Sequence, residues 1–238
     1  MEPNTTVYWV VIAALVGLIF LAKRFLKNKR TAARRELAGA RNLTLRADAP
    51  DDLERFEQFT AFDALTIVGR RTAGKKYAAN TMTGSIEIGN RSYDLQAGDY
   101  RTHRKAAWTP YALVRLPCDG VPKLIIRDEE ITDKLRKEIK FEGDATSHEF
   151  DRRFFVRGDD EATARELLQP EVMRLLLAQE HLQWVEIHQD TICLKEHGAR
   201  DIYELIAEIR RPNDGMARLL GLMDEILAVL PDRLTRGP

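Results

Sequence analysis

Residues 69–76, Gly-Arg-Arg-Thr-Ala-Gly-Lys-Lys, come close to spelling a phosphate-binding loop, and the apolar run at 64–68 precedes them as a strand would. Such a loop cradles phosphates in backbone N–H groups at a helix start, reaches them with its lysine and holds magnesium through a Ser or Thr hydroxyl. Here Lys76 stands where that hydroxyl belongs, and the following residues, YAANTMTG, make a poor helix. The stretch reads as a basic hairpin tip.

Other reactive side chains fare no better. His181, His188, Cys193 and His197 form the one metal-like cluster, yet they contain no CxxC pair and no HExxH, the spacings that bring zinc ligands together. His148-Glu149 lacks a second histidine. The three serines, Ser85, Ser92 and Ser147, stand in no GxSxG setting, and neither cysteine lies in a catalytic motif. Arg157-Gly158-Asp159 spells an integrin-type tripeptide but reads as a turn. The sequence therefore nominates no catalytic, cofactor-binding or metal-binding residue, and it points away from an enzyme.

Two basic and aromatic mixtures remain. One is Arg70, Arg71, Lys75, Lys76 and Tyr77; the other is Tyr100, Arg101, His103, Arg104, Lys105 and Trp108. Nucleic acid is disfavoured, because the chain beyond residue 35 is acidic and repels a phosphate backbone. Loops that face an anionic bilayer or a partner fit better, beside the plain alternative of two solvated hairpin tips.

The acidity is masked by balance. Of 37 basic residues, seven lie in residues 1–35 against the single acid Glu2, so the remainder sets 30 basic residues against 36 acidic ones. The basic end has a membrane explanation. From Thr6 to Ala22 there is no charge, and Phe25-Leu26 extends the apolar run past Lys23 and Arg24. A helix over residues 7–26 is about 30 Å long, matching the hydrocarbon core. Tyr8 and Trp9 suit one interface, while Lys23, Arg24, Lys27, Lys29 and Arg30 suit the other.

A cleaved signal would carry its positive charge before the apolar run; here the order is reversed. Basic residues after the span and none before it predict a cell-membrane protein with residues 1–6 outside and the C-terminal domain cytoplasmic. The polybasic stretch Lys23–Arg35 is expected to lie against anionic headgroups, at about 1 kcal/mol per basic residue. Cys118 and Cys193 lack framework spacing, as reduced thiols do, and the sequence alone leaves a single bridge between them open. Ala13 and Gly17 give a small-xxx-small spacing, common in spans.

The elements that would position these residues divide as a basic juxtamembrane linker at 27–42, a β-rich region at 43–127 and an α+β region at 128–238 ending in helices. In the first region LTLRA, FEQFTAF, ALTIVGRR, SIEIGNRSYDL and PYALVRLP read as strands, with Gly84, Gly89, Gly98 and Gly120 at turns. A small antiparallel sheet or partial barrel follows. RDEEITDKLRKEI reads as a helix capped by Asp128, with Ile131, Leu135 and Ile139 buried and a Glu130–Lys134 pair outside. HEFDRRFFVRG then reads as a strand with Phe150, Phe154 and Val156 on one face. Asp159 or Asp160 caps a helix containing Ala162, Leu167 and Leu168, and Pro170 restarts it. LQWVEIHQ and TICLKE form a hairpin turning at Gln189-Asp190. DIYELIAEIR and MARLLGLMDEILAVL are helical.

The pattern FDRRFFVRGDDEATARELLQPEVMRLL followed by LQWVEIHQDTICL resembles a family of bacterial membrane-anchored proteins. In that family one or two N-terminal spans precede a soluble domain with a Phe-rich strand, an Asp-capped helix, a restart at proline and a two-strand hairpin. The resemblance covers residues 55–200. Thr often precedes the restarting proline there; Gln169 stands in that place here. The family has no established activity, so the resemblance implies the anchor and the fold only. The combined expectation is an α+β single-pass protein whose cytoplasmic domain is a non-enzymatic interaction or regulatory module, its partners the bilayer and another membrane protein. A membrane-surface enzyme and a peripheral anionic-lipid sensor are the alternatives.

Overall fold

The computed structural model describes residues 5–47, 58–62, 77–101, 108–118, 120–129, 139–141, 143–197, 210–231 and 234. Its first element, α1 (Thr5–Ala40), is a single 36-residue helix. One helix among the described residues is long and apolar enough to cross a membrane, and this is it. Tyr8, Trp9, Phe20 and Phe25 are 67, 66, 70 and 64 % exposed, so the apolar run stands clear of the folded domain instead of serving as its core. A free-standing apolar stretch of this length is what a bilayer, and not water, accommodates.

Asn42, with φ 54, ends the helical course and turns the chain back into β1 (Thr44–Arg46). Then come β2 (Tyr77–Ile88), β3 (Arg91–Arg101), β4 (Thr109–Arg115) and β5 (Val121–Asp128). The C-terminal half gives α2 (Ala145–Arg153), β6 (Phe154–Gly158), α3 (Glu161–Leu167), α4 (Pro170–Leu177), β7 (Leu182–Gln189), β8 (Thr191–Glu196) and α5 (Asp214–Val229). All eight strands form one open antiparallel sheet in the order β1-β2-β3-β4-β8-β7-β5-β6. The β7–β8 hairpin is inserted between β4 and β5, so strands from both sides of residue 128 share one ladder. Fold class is thus α+β, with an apolar N-terminal helix.

The two sheet faces differ. One, carrying Met82, Leu95, Val114, Ile126, Val185 and Leu194, packs under the helices, where Met173, Leu176, Leu219, Met223 and Ile226 are buried. Each such side chain contributes about 1.5–3 kcal/mol on burial. The opposite face carries Tyr100, Tyr111, Leu113, Trp184 and Cys193 under a short cover at residues 59–62. Phe62 sits edge-on to both Tyr100 and Tyr111, at centroid distances of 4.6 and 5.7 Å.

Several expectations need correction. The end of FEQFTAF is not a strand but a 3₁₀ turn, Thr60–Phe62. The N–H groups of Thr60 and Ala61 bond the Glu186 carboxylate, leaving no ladder for them to join. HEFDRRFFVRG splits into a helix and a strand. Asp144 accepts from Ser147 N at 3.0 Å and starts α2, so Phe150 belongs to the helix and stacks between Phe141 and Phe154. Only from Phe154 does the chain extend. Gly89 and Gly120 do turn, with φ 63 and 72, but Gly84 and Gly98 lie inside strands.

Asp128 ends β5 and places its carboxylate 2.8 Å from His197 Nε2. The helix expected at 130–138, the strand ALTIVGRR and most of DIYELIAEIR lie outside the described residues; Ile139 is buried and donates to Val156 O. Elsewhere the reading holds locally. Asp160 caps α3 through Ala162 N and Thr163 N, and Pro170 opens α4. Gln169 offers no side-chain cap and instead donates back to Arg165 O and Glu166 O. The β7–β8 hairpin turns at Gln189, with φ 56.

Candidate functional site: the joint between the apolar helix and the sheet

The last turns of α1 do not trail away as a tether. Thr31, Arg34 and Ala38, spaced i, i+3 and i+7, share one helix face, and Arg34 and Ala38 on it are buried against the domain. Arg34 Nη2 donates to Asp99 Oδ1 at 2.9 Å, an ion pair whose side chains are only 4 and 2 % exposed. Its Nη1 donates to Pro212 O at 2.9 Å and to Asn213 Oδ1 at 3.3 Å. Asn213 Nδ2 in turn donates to Ala33 O at 2.7 Å. On the sheet side, Asn80 Nδ2 donates to Asp99 Oδ2 and Thr31 Oγ1 donates to Asn80 Oδ1, both at 2.8 Å. The network joins α1, β2, β3 and the entry to α5.

The local backbone is shaped for this. The β2–β3 register slips between Ala79 and Met82, and Asn80 takes φ 50, a left-handed conformation that asparagine tolerates better than most residues. Gly98 lies beneath the slip. A Cβ there would meet Tyr111 Oη at 3.1 Å and both Ala79 O and Thr81 Cα at 3.2 Å. Its use is close approach, not turning. Below the joint, Arg41 and Asp224 pair at 2.9 Å but are 27 and 31 % exposed, a pairing worth at most about 1 kcal/mol. The buried pair is different in kind: breaking such a pair from one side costs up to about 3–5 kcal/mol, and here Arg30, one turn earlier, also interacts with Asp99.

At the same end of the domain, Glu196 closes β8 and meets Arg218 at 3.3 Å. Burial raises its carboxyl to about 7, against the pull of Arg218 and Arg34.

A second polar cluster lies on the opposite face. Glu186, fully buried, accepts from Thr60 N, Thr60 Oγ1, Ala61 N and Trp184 Nε1, and pairs with Lys123 Nζ at 2.7 Å. Lys195 Nζ donates to Ala61 O at 2.7 Å, and Tyr100 Oη donates to Phe62 O. Burial pushes the Lys195 ammonium down to about 8 and the Cys193 thiol well up. A carboxylate, two lysines and a thiol have the makings of chemistry, but the bonds of Glu186 and Lys195 end on the protein's own backbone and side chains. They pin the 59–62 cover to the sheet. Beside this cover opens a polar cleft of about 570 Å³, lined by Arg46, Ser85, Asp94, Gln96, Arg115 and Asp190 among others; two of these, Arg115 and Asp190, pair at 2.6 Å.

The residues singled out from sequence fall in different places. Tyr8, Trp9, Arg24 and Lys27 are exposed on α1, Lys29 and Arg30 are half-buried, and Lys23 lies on the same helix. Arg34, expected at the headgroups with the rest of Lys23–Arg35, is corrected to an interior position by its bonds to Asp99 and Pro212. Arg101 ends β3, stacked over the rings of Tyr77 at 4.8 Å and Trp108 at 4.2 Å. Arg70, Arg71, Lys75, Lys76, Arg104 and Lys105 lie outside the described residues. Cys118 and Cys193 are not joined in a disulfide. Among the described residues, no group of three or more His, Cys, Asp or Glu is placed to hold a metal ion.

Fold and joint together define an α+β domain mounted directly on an apolar helix. The fold has a solved counterpart. The chain is similar to the crystal structure of the mycobacterial trehalose monomycolate transport factor A, TtfA, with a TM-score of 0.51, 13 % identity, 87 % of this chain covered and 97 % of that one. At that identity the likeness shows the fold alone. No family model matches the chain, and no curated protein matches it.

Proposed function

We propose that this is a single-pass membrane protein whose domain serves as a non-enzymatic interaction or regulatory module on the cytoplasmic side, presented to a partner in the same membrane. The observation that carries the reading is the buried Arg34–Asp99 pair at the end of an unbroken helix. A flexible tether only raises local concentration; a helix locked into the sheet also fixes how the domain faces the bilayer. Fixed presentation lowers the ordering cost of meeting a partner that is itself oriented by the membrane.

Orientation rests on the seven Lys and Arg residues of 23–35, which follow the span. The resemblance to bacterial membrane-anchored proteins agrees with the anchor.

The test is in-cell photo-crosslinking of the full chain beside a version with a Gly-Ser insertion between Lys27 and Asn28. The insertion leaves both span and joint intact but loosens the mount. The proposal expects a discrete membrane-protein adduct with the natural chain and a marked loss of it with the insertion. An equal adduct in both would reduce the mount to a tether, and adducts to lipid alone would overturn the interaction module.

A further inference from the structure

We infer that the sheet end bearing Tyr77, Arg101 and Trp108 is a second membrane contact, a rim that rests on anionic lipid headgroups beside the span. The inference builds on the membrane-anchored reading and adds the surface by which the domain lies against the bilayer.

The height of this rim follows from the joint. Thr31 meets Asn80 early in β2, and Leu43, just after α1 ends, packs on Gly84 further along it. Hence β2 runs in the same direction as α1, and its start points back toward the apolar run. β3 is antiparallel to β2, so its last residues approach the same level; Tyr77 is the cross-strand partner of Arg101. Asp99 is fixed to Arg34. Arg101 lies two residues beyond Asp99, about 7 Å nearer the span. That rise equals nearly five helical residues, which puts Arg101 about level with the turn Lys27–Arg30.

Leu26 ends the apolar run. Beyond the hydrocarbon, the headgroup layer of each leaflet is about 5–7 Å thick. Arg101 therefore falls within that layer.

Its chemistry suits the place. Arg101 shares parity along β3 with Asp99, so both point to the face on which α1 packs. The guanidinium is stacked on Tyr77 and Trp108, which pre-orders it without side-chain wandering. Tyr and Trp are the residues that settle at a membrane interface, and arginine is the cation best shaped for phosphate. On the adjacent helix turn Lys27 is exposed and Lys29 half-buried, so the rim and the helix carry positive charge at the same level. Lys75 and Lys76 directly precede Tyr77 in sequence. The partner is a lipid surface with anionic phosphate headgroups.

The experiment places the full chain in nanodiscs of phosphatidylcholine, with or without about 30 % phosphatidylglycerol, the anionic share that sets the surface potential. Lipids brominated near the headgroup boundary quench nearby tryptophans. Subtracting the Trp108→Phe chain isolates Trp108, and subtracting Trp9→Phe isolates Trp9 in the span. Trp108 emission is expected to be quenched in the anionic discs and largely retained in the neutral ones. Arg101→Glu removes the quenching of Trp108, Arg101→Lys preserves most of it, and Trp9 stays quenched throughout.

Quenching of Trp9 without Trp108 in both discs would overturn the rim and leave the anchor standing. Equal quenching of Trp108 in both discs would overturn the anionic preference. If neither tryptophan is quenched, the anchored reading fails first and the rim with it.

Discussion

Replacing Arg34 by alanine should be among the most damaging single changes available in this chain. Arg34 supplies three hydrogen bonds, to Asp99, Pro212 O and Asn213. Its removal leaves the Asp99 carboxylate, 2 % exposed as a side chain, with Asn80 Nδ2 and the nearby charge of Arg30. A buried pair broken from one side costs about 3–5 kcal/mol. Removing both charges at once, as Arg34→Met with Asp99→Asn, should cost less than Arg34→Ala alone, since no buried carboxylate is left short of its main partner. The assay is urea unfolding of the full chain in detergent, followed by tryptophan emission, with amide exchange read at residues 31–38. Exchange there should rise in Arg34→Ala even under folding conditions, because α1 leaves the sheet before the rest unfolds. A loss below about 1 kcal/mol, within the range of an exposed pair, would refute the reasoning, as would a double variant no better than the single one.

Other outcomes follow from the same contacts. Glu186→Ala should release the 59–62 cover, seen as earlier proteolytic cutting around Phe59 and a changed Trp184 emission, because Thr60 N, Ala61 N and Trp184 Nε1 lose their acceptor, at about 1–3 kcal/mol for each donor left unsatisfied. Glu196 has a folded pKa of about 7, above its ordinary 4.5, so it takes up protons more readily folded than unfolded. Its contribution is full below 4.5 and is lost as pH rises to 7, about 3 kcal/mol at most; in Glu196→Gln that slope of stability against pH should vanish from a titrated unfolding series. Gly98→Ala forces a methyl group against Ala79 O and Thr81 Cα and should lower stability by about 1–3 kcal/mol in thermal or urea unfolding.

Much of the fold was legible because local chemistry and tertiary context agree there. Asp160, Pro170 and the Gln189 turn act through neighbours in sequence, and the periodicity of MARLLGLMDEILAVL survives as α5. Where two local signals competed, the weaker-looking one won. His148-Glu149-Phe150 alternates enough for a strand, but the Asp144 cap three residues before Ser147 supplies a bond that a strand cannot use. The 59–62 turn was not legible, because its reason is Glu186, more than a hundred residues away.

The joint escaped for a related reason. Arg34 sits in a run of basic residues whose others suit a membrane surface, and nothing near it in sequence names Asp99 as its partner. The i, i+3, i+7 spacing of Thr31, Arg34 and Ala38 was the available signal. A small residue on the same helix face as an arginine marks a place where that face comes close to something.

The central claim is that the domain is fixed to its anchor, and a distance measurement in the bilayer tests it most directly. Nitroxide labels at Asn28→Cys on α1 and Glu87→Cys on β2, both exposed positions, would be read by pulsed electron resonance in the full chain in nanodiscs, with Cys118 and Cys193 replaced by serine and alanine. A single narrow distance that broadens in Arg34→Ala is the predicted result. A broad distribution in the natural joint, unchanged by Arg34→Ala, would contradict the account.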